Sequence, residues 1–140
     1  MILLSELDIA ARTLWGEARG EDYIGRKAVA QVLFNRWKTT HGQFRKDDTL
    51  ATSCLRHVQF SVWNSGDANF KKMFEVTYNN VDLRMCLQIL LEVINEDGKG
   101  DFTDGARHYY SKSMQVPPNW AIGHTPSYET NGHIFFNDVD

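Results

Sequence analysis

Three stretches of the chain repeat apolar residues at the spacing of an α-helix, and together they commit it to a helical core. Leu7, Ala10, Ala11, Leu14 and Ala18 recur at i, i+3, i+4, i+7 and i+11, one face of a helix with 3.6 residues per turn. Ala28, Val29, Val32 and Leu33 make a second stripe behind Asp22, a residue suited to cap a helix start. Gly25, in the first turn of that helix, permits close approach of a neighbour. Leu83, Cys86, Leu87, Leu90, Leu91 and Ile94 make the third stripe, with Asp82 as its cap and Gly98 as its stop. Ser5 and Asp8 have the spacing of a capping box for the first helix, and Gly20 marks its end. The first two helices form a hairpin, and the third belongs to the core.

The remainder has a different grain. Thr39 to Asn69 is polar, with aromatic points at Phe44, Phe60 and Trp63, and reads as loop with short irregular turns. A loop that long inside a compact domain usually serves function. Ala106 to Ser111 and His133 to Phe136 are rich in aromatic and β-prone residues and are expected to pair as antiparallel strands, separated by Pro117, Pro118, Pro126 and several glycines. The fold class expected is α+β: a mainly helical domain spanning residues 1–140, with a small antiparallel sheet. Its 140 residues, 42% of them apolar, suffice for a core without disulfide or metal staples.

Charge narrows the function classes. Fifteen Lys and Arg against eighteen Asp and Glu leave a net charge of −3, with no basic stripe to neutralise a phosphate backbone, so nucleic acid is not an expected partner. Glu6 and Asp8 interrupt the apolar start, and no positive region precedes it, so it does not read as a secretory signal. No stretch approaches the roughly 20 apolar residues of a membrane span. Cys54 and Cys86 are far apart and resemble neither a disulfide framework nor a metal-binding pair, so buried, reduced thiols are expected. The chain is expected to be made in the cytoplasm and to act as a monomer.

The segment Trp15-Gly16-Glu17-Ala18-Arg19-Gly20-Glu21 carries the sharpest chemistry. Glu17 falls about 80° from the centre of the first apolar stripe, at its edge. Half-buried, a carboxylate there would hold its proton more tightly, as a general acid near neutral pH requires. The plainer reading is a boundary glutamate paired with Arg19. For Glu21, capping or salt bridging is expected. Gln59, Trp63 and Asn64 join amides to an aromatic ring, a mixture that suits sugar hydroxyls and C–H faces as well as it suits a loop pinned by buried rings. Along the first strand His108 and Tyr110 should share one face and Tyr109 and Ser111 the other; one face is core, and the other, with Trp120, is free to line a cleft. The histidines (His41, His57, His108, His124 and His133) are scattered and form no HExxH, so no metal or cofactor is expected. No local signature marks a serine or cysteine nucleophile.

Ala11 to Glu21, Gly25, Ala28 to Arg36, Gln59 to Trp63, Gly105 to Tyr109 with Pro118 and Trp120, and Gly132 to Phe136 together resemble the SleB-type cell-wall hydrolase family. The resemblance runs from about Ser5 to Asn137. It implies a lysozyme-like fold with the small sheet flanking the cleft, and cleavage of peptidoglycan between MurNAc and GlcNAc. Glu17 takes the place of the family's catalytic glutamate, with Gln59, Trp63, His108, Tyr109 and Trp120 as substrate-binding residues. A lytic transglycosylase manages with one carboxylate, whereas a muramidase calls for a second, for which Glu21, Asp47, Asp48 and Asp67 are the candidates. The resemblance further implies a phage or prophage endolysin that reaches the wall through a membrane lesion. Two alternatives differ in kind: a zinc-dependent peptidoglycan amidase or peptidase, and a non-catalytic glycan-binding virion protein.

Overall fold

The computed structural model describes residues 2–39, 49–55 and 63–139. Within them the chain forms α1 (Leu4–Ala18), α2 (Tyr23–Lys38), α3 (Leu50–Leu55), α4 (Phe70–Glu75) and α5 (Val81–Glu96). There follow β1 (His108–Ser111), one turn of 3-10 helix at Asn119–Ala121, β2 (Tyr128–Glu129) and β3 (His133–Phe136). The α+β expectation holds, and so do the three helices read from the apolar stripes.

Their ends are set partly by other residues. At the start of α1 it is Glu6 that reaches back, its Oε2 accepting from the Leu3 N–H at 2.8 Å. Asp8 instead accepts from Arg12 Nε at 3.0 Å and from the Tyr78 hydroxyl at 2.6 Å, so the Ser5–Asp8 box does not form. Asp22 does cap α2, its Oδ1 accepting from the Gly25 N–H at 2.8 Å. In α5 the cap is Asn80, which accepts from the Leu83 N–H at 3.1 Å, while Asp82 is drawn to Arg26 Nη2 at 2.8 Å. The helix ends where Asp97 and Gly98 take positive φ, 50° and 84°, a left-handed turn that satisfies its last carbonyls. Asn80→Ala should lower unfolding stability by about 1 kcal/mol, read from denaturant midpoints at unchanged m-value.

The core lies between α1, α2, α3 and α5, filled by Leu14, Val29, Leu33, Leu50, Met73, Leu83 and Leu90, all fully buried. On α5 the covered face is Leu83, Cys86, Ile89, Leu90 and Val93. Leu91, expected on it, is exposed, because it sits about 140° round the helix from that face's centre. α3 interrupts the segment expected as loop: Leu50, Ser53 and Cys54 are buried at i, i+3 and i+4, but six residues are too few for the stripe to stand out from its polar surroundings. Both cysteines are buried and free. Burial pushes the Cys54 thiol up to about 12 and the Cys86 thiol up to about 11, so neither is a ready nucleophile.

The sheet is antiparallel in the order β1-β3-β2. Tyr109 stands opposite Phe135, and Ser111 opposite His133. β2 adds only Tyr128 and Glu129 to the other edge of β3, too short a run to signal itself. Alternation gives the sheet two faces. Tyr109 and Phe135 pack into the helical core, whereas Phe136, Tyr110 and Ile134 form a small second cluster with Trp120, Ala121 and Val139. The C-terminal half of α2 fastens the sheet: Asn35 Nδ2 donates to the Ala106 carbonyl at 2.9 Å and Arg36 Nε to the Arg107 carbonyl at 2.6 Å. Among the described residues no helix is long and apolar enough to cross a membrane.

Candidate active site

Glu17 sits in the last turn of α1, half-buried, at the edge where its spacing from the apolar stripe placed it. The boundary-pair reading with Arg19 does not describe the structure: the Arg19 guanidinium lies over the Trp15 ring, 4.3 Å from its centroid, and Nη2 donates to Asn69 Oδ1 at 2.9 Å. What faces Glu17 is the sheet. Tyr109 stands beside the Glu17 carboxylate, and its phenol is held well above the ordinary value by burial first and by the neighbouring Glu17 charge second, with Arg36 pulling the other way. Tyr109 therefore keeps its proton.

One turn further on, the chain leaves α1 with the Glu21 N–H donating to the Ala18 carbonyl at 3.0 Å. That turn brings Glu21 to the same side as Glu17. Its Oε1 lies 2.8 Å from His133 Nδ1, an ion-pair distance, with the side chains 18% and 9% exposed. A Cβ on Gly132 would collide with this carboxylate, and one on Gly25 would lie 2.8 Å from Glu21 Cβ. Glu21 is thus walled by β3 and by the start of α2. Of the two roles expected for Glu21, the structure shows it next to a pairing partner, His133.

Glu17 and Glu21 line one furrow of about 430 Å³, with Asp67, Asn69, Ser111 and His133 on its other sides and Gly16, Ala18 and Gly20 completing it. Its polar groups are hydroxyl, amide, imidazole and carboxylate, a set matched to sugar hydroxyls and to a proton-transfer step. The exit of α1 is fixed from behind: Arg26 Nη2 donates to the Arg19 carbonyl at 2.6 Å and to Asp82 at 2.8 Å.

The remaining residues expected at the site are not together. Gln59 lies outside the described residues. Trp63 Nε1 donates to Thr13 Oγ1 at 2.7 Å, one turn before Glu17 on α1. Its ring meets Phe74 edge to face in a separate hollow of about 490 Å³ with Ile9, Arg12, Leu55 and Phe70. His108 and Trp120 stand on the far face of the sheet, their rings 5.3 Å apart, with Tyr110 and Phe136 packed on Trp120. Of the sheet residues singled out, Tyr109 and Ser111 lie on the Glu17 side, because strand alternation sends His108 and Tyr110 to the opposite side. His133 escaped the sequence reading of the site. Once β1 and β3 are paired, the register that puts Ser111 opposite His133 places His133 on the Tyr109 face. Of the candidates for a second carboxylate, Asp67 and Glu21 lie in the furrow, and Asp47 and Asp48 lie outside the described residues. Among the described residues no group of three or more His, Cys, Asp or Glu side chains is arranged to hold a metal ion. His124 pairs with Asp138 at 3.2 Å, and His41 and His57 lie outside the described residues.

The sequence profile of a family described as Cell Wall Hydrolase matches residues 20–136, beginning just after Glu17. The chain is similar in fold to the crystal structure of the catalytic domain of the Bacillus cereus SleB protein. The TM-score is 0.74 at 21% identity, covering 97% of this chain and 92% of that one. It is likewise similar to the catalytic domain of the germination-specific lytic transglycosylase SleB from Bacillus anthracis, with a TM-score of 0.72 at 22% identity, covering 96% of this chain and 95% of that one. A comparison with curated proteins finds no match.

Proposed function

Since the chain belongs to the cell wall hydrolase family and cleaves peptidoglycan, we propose that the bond it breaks is glycosidic, between MurNAc and GlcNAc, and that Glu17 is the general acid and base. The observation that carries this reading is the half-buried Glu17 carboxylate, beside Tyr109 and in a furrow lined with groups that bind hydroxyls. A carboxylate in the last turn of a helix stands at the negative end of the macrodipole, which favours its protonated form.

In the first half of the reaction the Glu17 proton passes to the glycosidic oxygen, and the bond from that oxygen to the muramic anomeric carbon breaks. The departing GlcNAc carries the proton away as its 4-hydroxyl. In the second half the 6-hydroxyl of the same muramic residue attacks the anomeric carbon, and its proton returns to Glu17. One carboxylate closes this cycle. The lytic transglycosylase named among the similar structures supports the same route.

A hydrolytic second half is favoured by one observation, the presence of Asp67 in the furrow, where a carboxylate can activate a water in place of the 6-hydroxyl. Mass spectrometry of muropeptides separates the outcomes. Transglycosylation leaves 1,6-anhydro ends, lighter by one water than the reducing ends left by hydrolysis. New amino groups with intact glycan strands would overturn the glycosidic reading. Sacculi that bind the protein yet release nothing soluble would overturn catalysis itself.

Tyr109→Phe removes the hydroxyl that neighbours the Glu17 carboxylate and leaves the ring packed. Muropeptide release should slow by about 10-fold to 100-fold, the scale of a misaligned reacting group, at an unchanged product mass.

A further inference from the structure

We propose that Glu21 is a positioning residue for Glu17: clamped by His133 and walled by Gly132, its carboxylate is the fixed negative charge that keeps the proton on Glu17 until the glycosidic oxygen takes it. The inference rests on Glu17 being the general acid.

The geometry is a circuit across one face of the sheet. Tyr109 stands beside Glu17, the Tyr109 and His133 rings meet edge to face with centroids 5.1 Å apart, and His133 Nδ1 lies 2.8 Å from Glu21 Oε1. Both carboxylates line the same furrow. Neighbouring like charges disfavour each other's ionisation, so a second carboxylate fixed in the ionised state makes the first a better-retained acid. Glu21 can be that fixed charge only if its partner does not cancel it. Burial, the largest influence on His133, pushes its imidazole below the ordinary value against the opposing pull of the Glu21 charge and hydrogen bond. Near neutral pH the ring is therefore uncharged. It walls Glu21 without neutralising it.

Among the described residues, the other charged groups placed around Glu17 fit this arrangement. From α1, Arg19 is turned onto Trp15 and Asn69. From the segment before α4, Asp67 adds a second negative group to the furrow, its Oδ1 accepting from the Asn69 N–H at 2.8 Å. From α2, Arg36 is the positive charge felt at Tyr109. Next to β1, Lys112 is paired with Glu129 at 2.6 Å.

The test is the alkaline limb of the pH–rate profile on purified sacculi, where activity falls as Glu17 loses its proton. Glu21→Gln keeps an oxygen for His133 and removes the charge, so the limb should move to lower pH by about half a unit to one unit. Glu21→Asp keeps the charge and should leave the limb within about 0.2 units of the parent. A folded Glu21→Gln enzyme with an unmoved limb overturns the proposal, as does an equal shift in both variants, which would mark a merely structural role. Should Glu21→Gln not fold, the parent enzyme decides. Raising ionic strength from about 0.02 M to 0.5 M screens the pair and should move the limb to lower pH, and a limb that stays put overturns the proposal. Glu17→Gln, run alongside, keeps the two readings apart: if it is fully active, the assignment of Glu17 fails, whereas if it is inactive and the limb ignores Glu21, only the role of Glu21 fails.

Discussion

Glu17→Gln should reduce the solubilisation of purified sacculi by about 10³-fold, within the range by which a positioned general acid accelerates proton transfer, while the protein still melts cooperatively. The substitution is nearly isosteric, so the local packing survives. What is lost is the transferable proton. Both halves of the reaction depend on it, the first for departure of the 4-hydroxyl and the second for uptake from the attacking oxygen, so no slower half-reaction is spared. A folded variant that cleared sacculi at the parent rate would mean that another group supplies the proton.

The second large effect is on stability, and it reaches the site through the sheet. Phe135 is fully buried, stands opposite both Tyr109 and Tyr128, and joins the sheet to the helical core. Phe135→Ala removes a buried ring from the middle of a three-stranded sheet and leaves a cavity, at a cost of about 3–5 kcal/mol. For a chain of this size the melting temperature should fall by roughly 10–20 °C, measured by calorimetry or circular dichroism. Because the same strand carries His133, and Tyr109 packs on the Phe135 ring with centroids 5.6 Å apart, activity should be lost well below the melting midpoint, as the clamp on the two glutamates loosens. A loss of stability under 1 kcal/mol would show that the sheet is held mainly by the Asn35 and Arg36 hydrogen bonds instead.

The helical half of this fold can be read because its signal is periodic. α1, α2 and α5 each run four turns or more, long enough for a stripe to appear, and Asp22 caps α2 as its position predicts. α3 and α4 are six residues each, so one buried turn is all they show, and β2 is shorter still. The caps misread at Ser5 and Asp82 show the limit of local rules: Glu6 and Asn80 had equal chemical claims, and Asp82 was drawn away by Arg26, a partner distant in sequence.

The site divides in the same manner. Glu17 was legible because its angle on α1 is a local property. Tyr109 was half legible, since alternation separates it from His108 but does not say which face is core. The Glu21–His133 pair was not legible from either residue alone, because it joins positions brought together only when β3 pairs with β1 and lies against the end of α1. Trp120 misled for a related reason: an aromatic residue beside a cleft and one filling a small second core look alike in sequence.

The most direct test of Glu17 as the proton donor is a crystal structure of Glu17→Gln, inactive but folded, with a peptidoglycan glycan fragment bound. A muramic residue should lie in the furrow with its glycosidic oxygen about 2.6–3.2 Å from the side-chain amide of residue 17 and Tyr109 behind that amide. A fragment bound elsewhere, or one whose glycosidic oxygen faces Asp67 or Glu21 while residue 17 touches no scissile bond, would contradict it.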